Sequence, residues 1–270
     1  MQLGSTVPAT ASPPSGHRDV ASQTPATAIS VAFVITFLAA WFVLDRLVAA
    51  PPTMTGSLVA LMASGAVLVV SERIVARTPW RAIVPRLGIG RPTRRALIAA
   101  TLVGAAVVAT FVAGAAVLGI ELELRPNWPA VLVGALLFHG VAEELVWRGY
   151  VYGRLRAGTS FRRAVRRSMP LIALTHVPII AGNGLGVGAL AVLSAIVTCL
   201  PFAYLYDRGG RTIWAPAIVH GLVGTWQLFE RTYPLQFSLF VIVGSIVTPL
   251  AAFAFGDRFF RTTQTPKGQP

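Results

Sequence analysis

The sequence predicts an all-α, polytopic membrane protein with about eight transmembrane helices and a polar site in the cytoplasmic half of the bilayer. Three observations carry that expectation. Apolar residues make up 54% of the chain and charged residues only 12%, which leaves too little polar surface for a soluble fold. Several apolar runs approach or exceed the ~20 residues that a helix needs to cross a bilayer. Finally, Glu143, Glu144 and Arg148 sit inside one of those runs. A charge at the centre of a membrane helix costs about 2.5–3.5 kcal/mol even on the mildest insertion scale, so three of them in one segment predict a buried polar site.

The chain reads in order from the N-terminus. Residues 1–27 are rich in Pro, Ala, Ser and Thr and predict a disordered tail. No basic stretch leads directly into a short apolar core, so the first apolar segment reads as a retained helix and not as a cleaved signal. Apolar segments follow at roughly 28–49, 55–76, 96–119, 128–152, 169–182, 186–206, 213–229 and 236–256. Pro51, Pro52 and Pro126 mark boundaries between them, as residues that cannot continue a helix do. The organisation expected is a tail (1–27), two N-terminal membrane helices (28–79), a membrane core (80–256) and a cytoplasmic C-terminal tail (257–270).

Charge orients the segments. The formal net charge is +13, and the arginines fall in alternate loops. Arg73, Arg77, Arg81, Arg86, Arg91, Arg94 and Arg95 follow the second segment, and Arg154, Arg156, Arg162, Arg163, Arg166 and Arg167 follow the fourth. The intervening loops carry Arg46 and Arg231, each beside an acidic residue, and Arg125, two residues from Glu123. By the positive-inside rule both termini are cytoplasmic, and the mixed stretch Trp80–Arg95 reads as an interfacial segment. Anionic lipid headgroups account for the basic balance; with no aromatic-basic platform in the chain, nucleic acid is not an expected partner. The one cysteine, Cys199, excludes an internal disulfide and a cysteine metal cluster.

Depth along the expected helices brings the polar residues into one layer. At 1.5 Å per residue, Glu143 lies about 8 Å from the cytoplasmic boundary, and His176 and His220 lie about 10 Å deep on two other segments. Glu144 and Arg148 are spaced i,i+4 for an ion pair. Glu143, rotated about 100° from Glu144, is the freer carboxylate and the candidate general base. Taken singly, His176 and His220 each read more readily as an interhelical hydrogen-bonder than as a ligand. His139, four residues before Glu143, reads either as its orienting partner or as a polar lining residue. Asp45–Arg46 and Asp207–Arg208 read as solvated interfacial pairs, and His17 falls in the tail.

Three stretches together resemble a known family. Ala142–Tyr150 (AEELVWRGY) is similar to the Glu-Glu-x-x-x-Arg motif of the CPBP intramembrane proteases, the Rce1- and Abi-like family. Leu171–Ile179 (LIALTHVPI) is similar to its Phe-x-x-x-His motif, with Ile172 at the Phe position. Thr212–Gly224 (TIWAPAIVHGLVG) is similar to the Ser/Thr-Ile-Trp-x-x-x-x-x-His run. The resemblance covers roughly residues 80–235. It implies an intramembrane endopeptidase, CAAX prenyl protease-like, that hydrolyses a membrane-associated peptide or protein near the cytoplasmic face. It further implies Glu143 as water-activating base, His176 holding the water, Glu144 and Arg148 supporting the site, and His220 as ligand or oxyanion donor. A zinc ion on Glu143, His176 and His220 and a metal-free glutamate mechanism both suit these residues.

One position departs from the pattern. Gly224 stands where the family usually carries Asn, four residues after His220. Losing one oxyanion donor typically costs 10²–10³ in rate, so the alternative expectation is a catalytically impaired relative acting as an immunity factor, scaffold or binding partner. Thr225 is rotated about 100° away, and Asn183 is a remote substitute. A proton-coupled transporter ranks last, because no inverted repeats or paired broken helices are evident. The Arg-heavy, nearly Lys-free composition points to a bacterial cell membrane as the location.

Overall fold

The computed structural model describes residues 30–48, 51–230 and 234–261, with side chains through Ala254. The expected tail 1–27, the C-terminal tail 257–270, His17 and Arg231 lie outside the described side chains. Among the described residues the chain is helical, apart from one isolated antiparallel bridge between Leu124 and Phe229.

Among the described residues nine helices form, numbered here in chain order: α1 Val31–Leu47, α2 Met54–Ile74, α3 Trp80–Arg86 and α4 Arg94–Leu118, then α5 Trp128–Arg156. After it come α6 Phe161–His176, α7 Pro178–Arg208, α8 Trp214–Val223 with a 3-10 turn Gly224–Leu228, and α9 Leu235–Arg261. Their starts follow local chemistry. The hydroxyls of Ser30, Thr53 and Thr93 accept hydrogen bonds from the backbone N–H groups of Phe33, Gly56 and Ala96, satisfying donors that the first helical turn leaves orphaned. Gly119 ends α4 at φ 64°, the left-handed cap that glycine adopts without a Cβ penalty.

Five described helices are long and apolar enough to cross a membrane: α2, α4, α5, α7 and α9 over Leu235–Ala254. The other expected spans are helical but shorter. The first is the 17-residue α1. The fifth, expected over 169–182, is shared between α6, which begins in the arginine-rich loop, and the first turns of α7, which break at Gly184 (φ 80°). The seventh is the 10-residue α8 and its 3-10 turn.

The packing places α5 at the centre. Its C-terminal half is buried almost continuously from Glu144 to Tyr152 and belongs to the main core with Phe33, Phe37, Leu68, Leu87, Ile172 and Ile213. α8 packs on α4 and on the middle of α5. Gly140 allows that approach, since a Cβ there would stand 2.8 Å from the Ala217 carbonyl oxygen. The start of α8 is pinned by Ile213 N–H to Gly88 O (3.0 Å) and Trp214 Nε1–H to Gly90 O (2.9 Å). Buried Glu72 ties α2 to the end of α5 and to α3. It accepts from Arg154, lies 3.5 Å from Arg86 and accepts from the Thr78 hydroxyl at 2.8 Å.

Candidate active site

The middle of α5 departs from regular α-helix. Leu136–Ala142 and Leu145–Tyr152 run with π-type hydrogen bonding, on either side of the glutamates, a feature that recurs at functional sites. The adjacent carboxylates diverge from this segment and take different partners.

Glu144 is fully buried and Arg148 is 2% exposed. Arg148 donates to Glu144 Oε1 at 2.8 Å, the i,i+4 pair expected from the sequence. Its guanidinium also lies over the Phe202 ring, 4.8 Å from the centroid. The same Glu144 oxygen accepts from His220 Nδ1 at 2.8 Å, so Glu144 joins α5 to α8 as well as binding its own arginine.

Glu143 turns to the other side. Its Oε2 lies 3.2 Å from His139 Nδ1 and 3.4 Å from His220 Nε2. Glu143 and His220 expose about 14–15% of their side chains and His139 about 21%, so this edge of the cluster opens outward while Glu144 and Arg148 lie beneath it. His220 is therefore a bridge, with one ring nitrogen on each glutamate.

His176 stands slightly apart. Its Nδ1 donates to the Ile172 carbonyl at 3.0 Å, and its ring packs on Trp147 with centroids 5.1 Å apart. Trp147 also stacks on His220 at 5.4 Å and so links the two histidines. Among the described residues, the three metal-competent donors that lie within 4.8 Å of one another belong to His139, Glu143 and His220. His139 occupies the place in this trio that the sequence reading gave to His176.

Gln227 is a site residue that sequence reasoning missed. Its amide lies 2.7 Å from His139 Nε2. The 3-10 turn that carries it is held by Arg125, whose Nε donates to Gln227 O (3.0 Å) and whose backbone N–H donates to Leu228 O (2.8 Å). The signal was the i,i+7 spacing from His220, two helical turns on one face. Gly224 has a steric role: a Cβ there would stand 2.7 Å from His139 Cδ2, so the His139 ring occupies the volume a side chain would need. Thr225 spends its hydroxyl on the Leu222 carbonyl (2.7 Å), and exposed Asn183 donates to Ile179 O (3.4 Å).

The arrangement is a carboxylate flanked by two imidazoles on an apolar helix, above a buried ion pair. The family model described as Type II CAAX prenyl endopeptidase Rce1-like matches residues 125–226, which take in α5 to α8 and every motif residue named above. No curated protein matches the chain.

Proposed function

On the match of residues 125–226 to the Rce1-like family model, we propose that the chain is an intramembrane endopeptidase that cuts a membrane-associated peptide or protein near the cytoplasmic face. The observation that carries this reading is Glu143 Oε2, held between His139 Nδ1 and His220 Nε2 on the open edge of the cluster. Glu143 takes a proton from water as the water oxygen attacks the scissile carbonyl carbon. The carbonyl π electrons move to oxygen, and the resulting oxyanion collapses to expel the amine. Glu143 returns its proton to that amine, so the carboxylate is regenerated. His176 helps to hold the water, and His220 Nε2 holds the Glu143 carboxylate on its other side. Glu144 fixes the His220 ring through Nδ1, and Arg148 balances the charge of Glu144 in a region where an unpaired carboxylate is costly.

Gly224 favours the second reading, a non-catalytic relative serving as an immunity factor or scaffold. The Gln227 amide weighs against it, because it brings a polar amide into the cluster from the next turn.

One comparison separates the two. Newly formed peptide termini are measured by mass spectrometry in host cells carrying the native chain or Glu143→Gln at equal abundance. Termini present only with the native chain are expected. Identical termini, with both proteins folded in the membrane, would make the protein non-catalytic.

A further inference from the structure

The distances around Glu143 fit something more specific than a hydrogen-bonded carboxylate. Zinc bonds to imidazole nitrogen and carboxylate oxygen measure about 2.0–2.2 Å, so neighbouring ligand atoms of a tetrahedral ion stand about 3.3–3.6 Å apart. Glu143 Oε2 lies 3.2 Å from His139 Nδ1 and 3.4 Å from His220 Nε2, and all three ligand atoms lie within 4.8 Å of one another.

Proton placement points the same way. His220 Nδ1 meets a carboxylate oxygen of Glu144 at 2.8 Å, and a carboxylate only accepts. Nδ1 therefore carries the hydrogen, and Nε2 of the neutral ring presents its lone pair to Glu143 Oε2. An imidazole lone pair and a carboxylate oxygen 3.4 Å apart are best held together by a cation between them, a proton or a metal ion. His139 has a matching outer partner in Gln227, 2.7 Å from Nε2. Which end of an amide faces a histidine follows from the hydrogen bond it makes. With its oxygen inward, Gln227 accepts from Nε2–H and leaves the Nδ1 lone pair toward Glu143. Metal-bound histidines characteristically donate their other ring N–H to a carboxylate or carbonyl oxygen, and here both histidines have such a partner. Gly224 makes room for the His139 ring, so the glycine that breaks the family pattern is part of the geometry that brings in the additional ligand.

We infer that His139 Nδ1, Glu143 Oε2 and His220 Nε2 form a three-ligand site for a divalent cation of the zinc type, with Glu144 and Gln227 orienting the two imidazoles. This deepens the endopeptidase reading, since a cation there would polarise a carbonyl or a water, but the ligand geometry is testable without any substrate. Three protein ligands leave a fourth position open, as in catalytic zinc sites, and the partial exposure of the trio agrees with that.

The test titrates Co²⁺ into the purified, metal-depleted full chain in detergent micelles and reads visible absorption and stoichiometry. One equivalent with the spectrum of a four-coordinate ion is expected. His139→Ala and His220→Ala should each weaken binding at least about 100-fold, with His139→Gln as a second variant in case the alanine does not fold. His176→Ala should bind as the native chain does. Gln227→Leu should weaken binding about 10–100-fold, and Gln227→Glu, which keeps an acceptor oxygen, should restore most of it. A native chain that takes up no cobalt, or a folded His139→Ala that binds it normally, overturns the site. Metal-depleted protein that still cuts would overturn the cation's part in the chemistry and leave the Glu143 mechanism in place. Cobalt binding without new termini would overturn proteolysis and leave the metal site.

Discussion

At the residue scale, two adjacent glutamates do different work because a helix turns by about 100° per residue and their surroundings differ. Glu144 sits at zero exposure on Arg148 and His220; Glu143 lies at the open edge between two imidazoles. Breaking one partner of a buried ion pair costs about 3–5 kcal/mol, because the other charge stays buried and unpaired. Arg148→Ala is therefore expected to lower folded abundance sharply and to depress the thermal unfolding midpoint in detergent. Normal yield and midpoint would mean that Glu144 draws its stabilisation elsewhere. Replacing both residues by methionine removes the stranded charge, so Glu144→Met/Arg148→Met should recover stability. It should not recover cleavage, because His220 then loses its Nδ1 partner.

The element that organises the site is α5, and what matters is how closely other backbones approach it. Gly140 faces the Ala217 carbonyl at the α5–α8 crossing, which sets the reach of His220 toward both glutamates. Gly140→Val should push α8 away, lowering the unfolding midpoint and reducing cleavage together, since small displacements at a reacting centre can cost about 10²-fold. Gly182→Ala, with open space around the added Cβ, should change neither. Equal effects at both positions would show that close approach at Gly140 is not what holds the crossing. The buried Glu72 cluster performs the corresponding task at the other end of α5, where Arg154, Arg86 and Thr78 converge on one carboxylate.

For the whole molecule, the positive-inside rule makes the arginine-bearing loops the expected determinant of orientation, and under the proposed function that orientation sets the face from which substrate reaches the site. Cys199 is buried, so a single introduced cysteine can report its own side. A cysteine at exposed position 91 is expected to react with an impermeant thiol reagent only from the cytoplasmic face, and one at exposed position 121 only from the opposite face. The reverse pattern would invert the topology and move the proposed cleavage to the other side of the membrane.

The sequence by itself determined the helical, membrane-embedded class and singled out Glu143, Glu144, Arg148, His176 and His220 as polar residues inside apolar runs. It could do so because hydropathy is local, and a charged residue inside an apolar run is anomalous wherever the run ends up. The Glu144–Arg148 pair was legible for the same reason, since i,i+4 spacing lies within one helix. Tertiary structure alone decided that His220 reaches Glu143, because that depends on where α8 crosses α5 and how close Gly140 lets it come; His139, at i,i+4, was within reach along one helix. Only the fold brought Gln227 against His139 and moved His176 behind Trp147, for those contacts join residues up to 88 positions apart. Gly224 shows the division most clearly. In the sequence it reads as a missing side chain, and in the folded protein it is the space that the His139 ring fills.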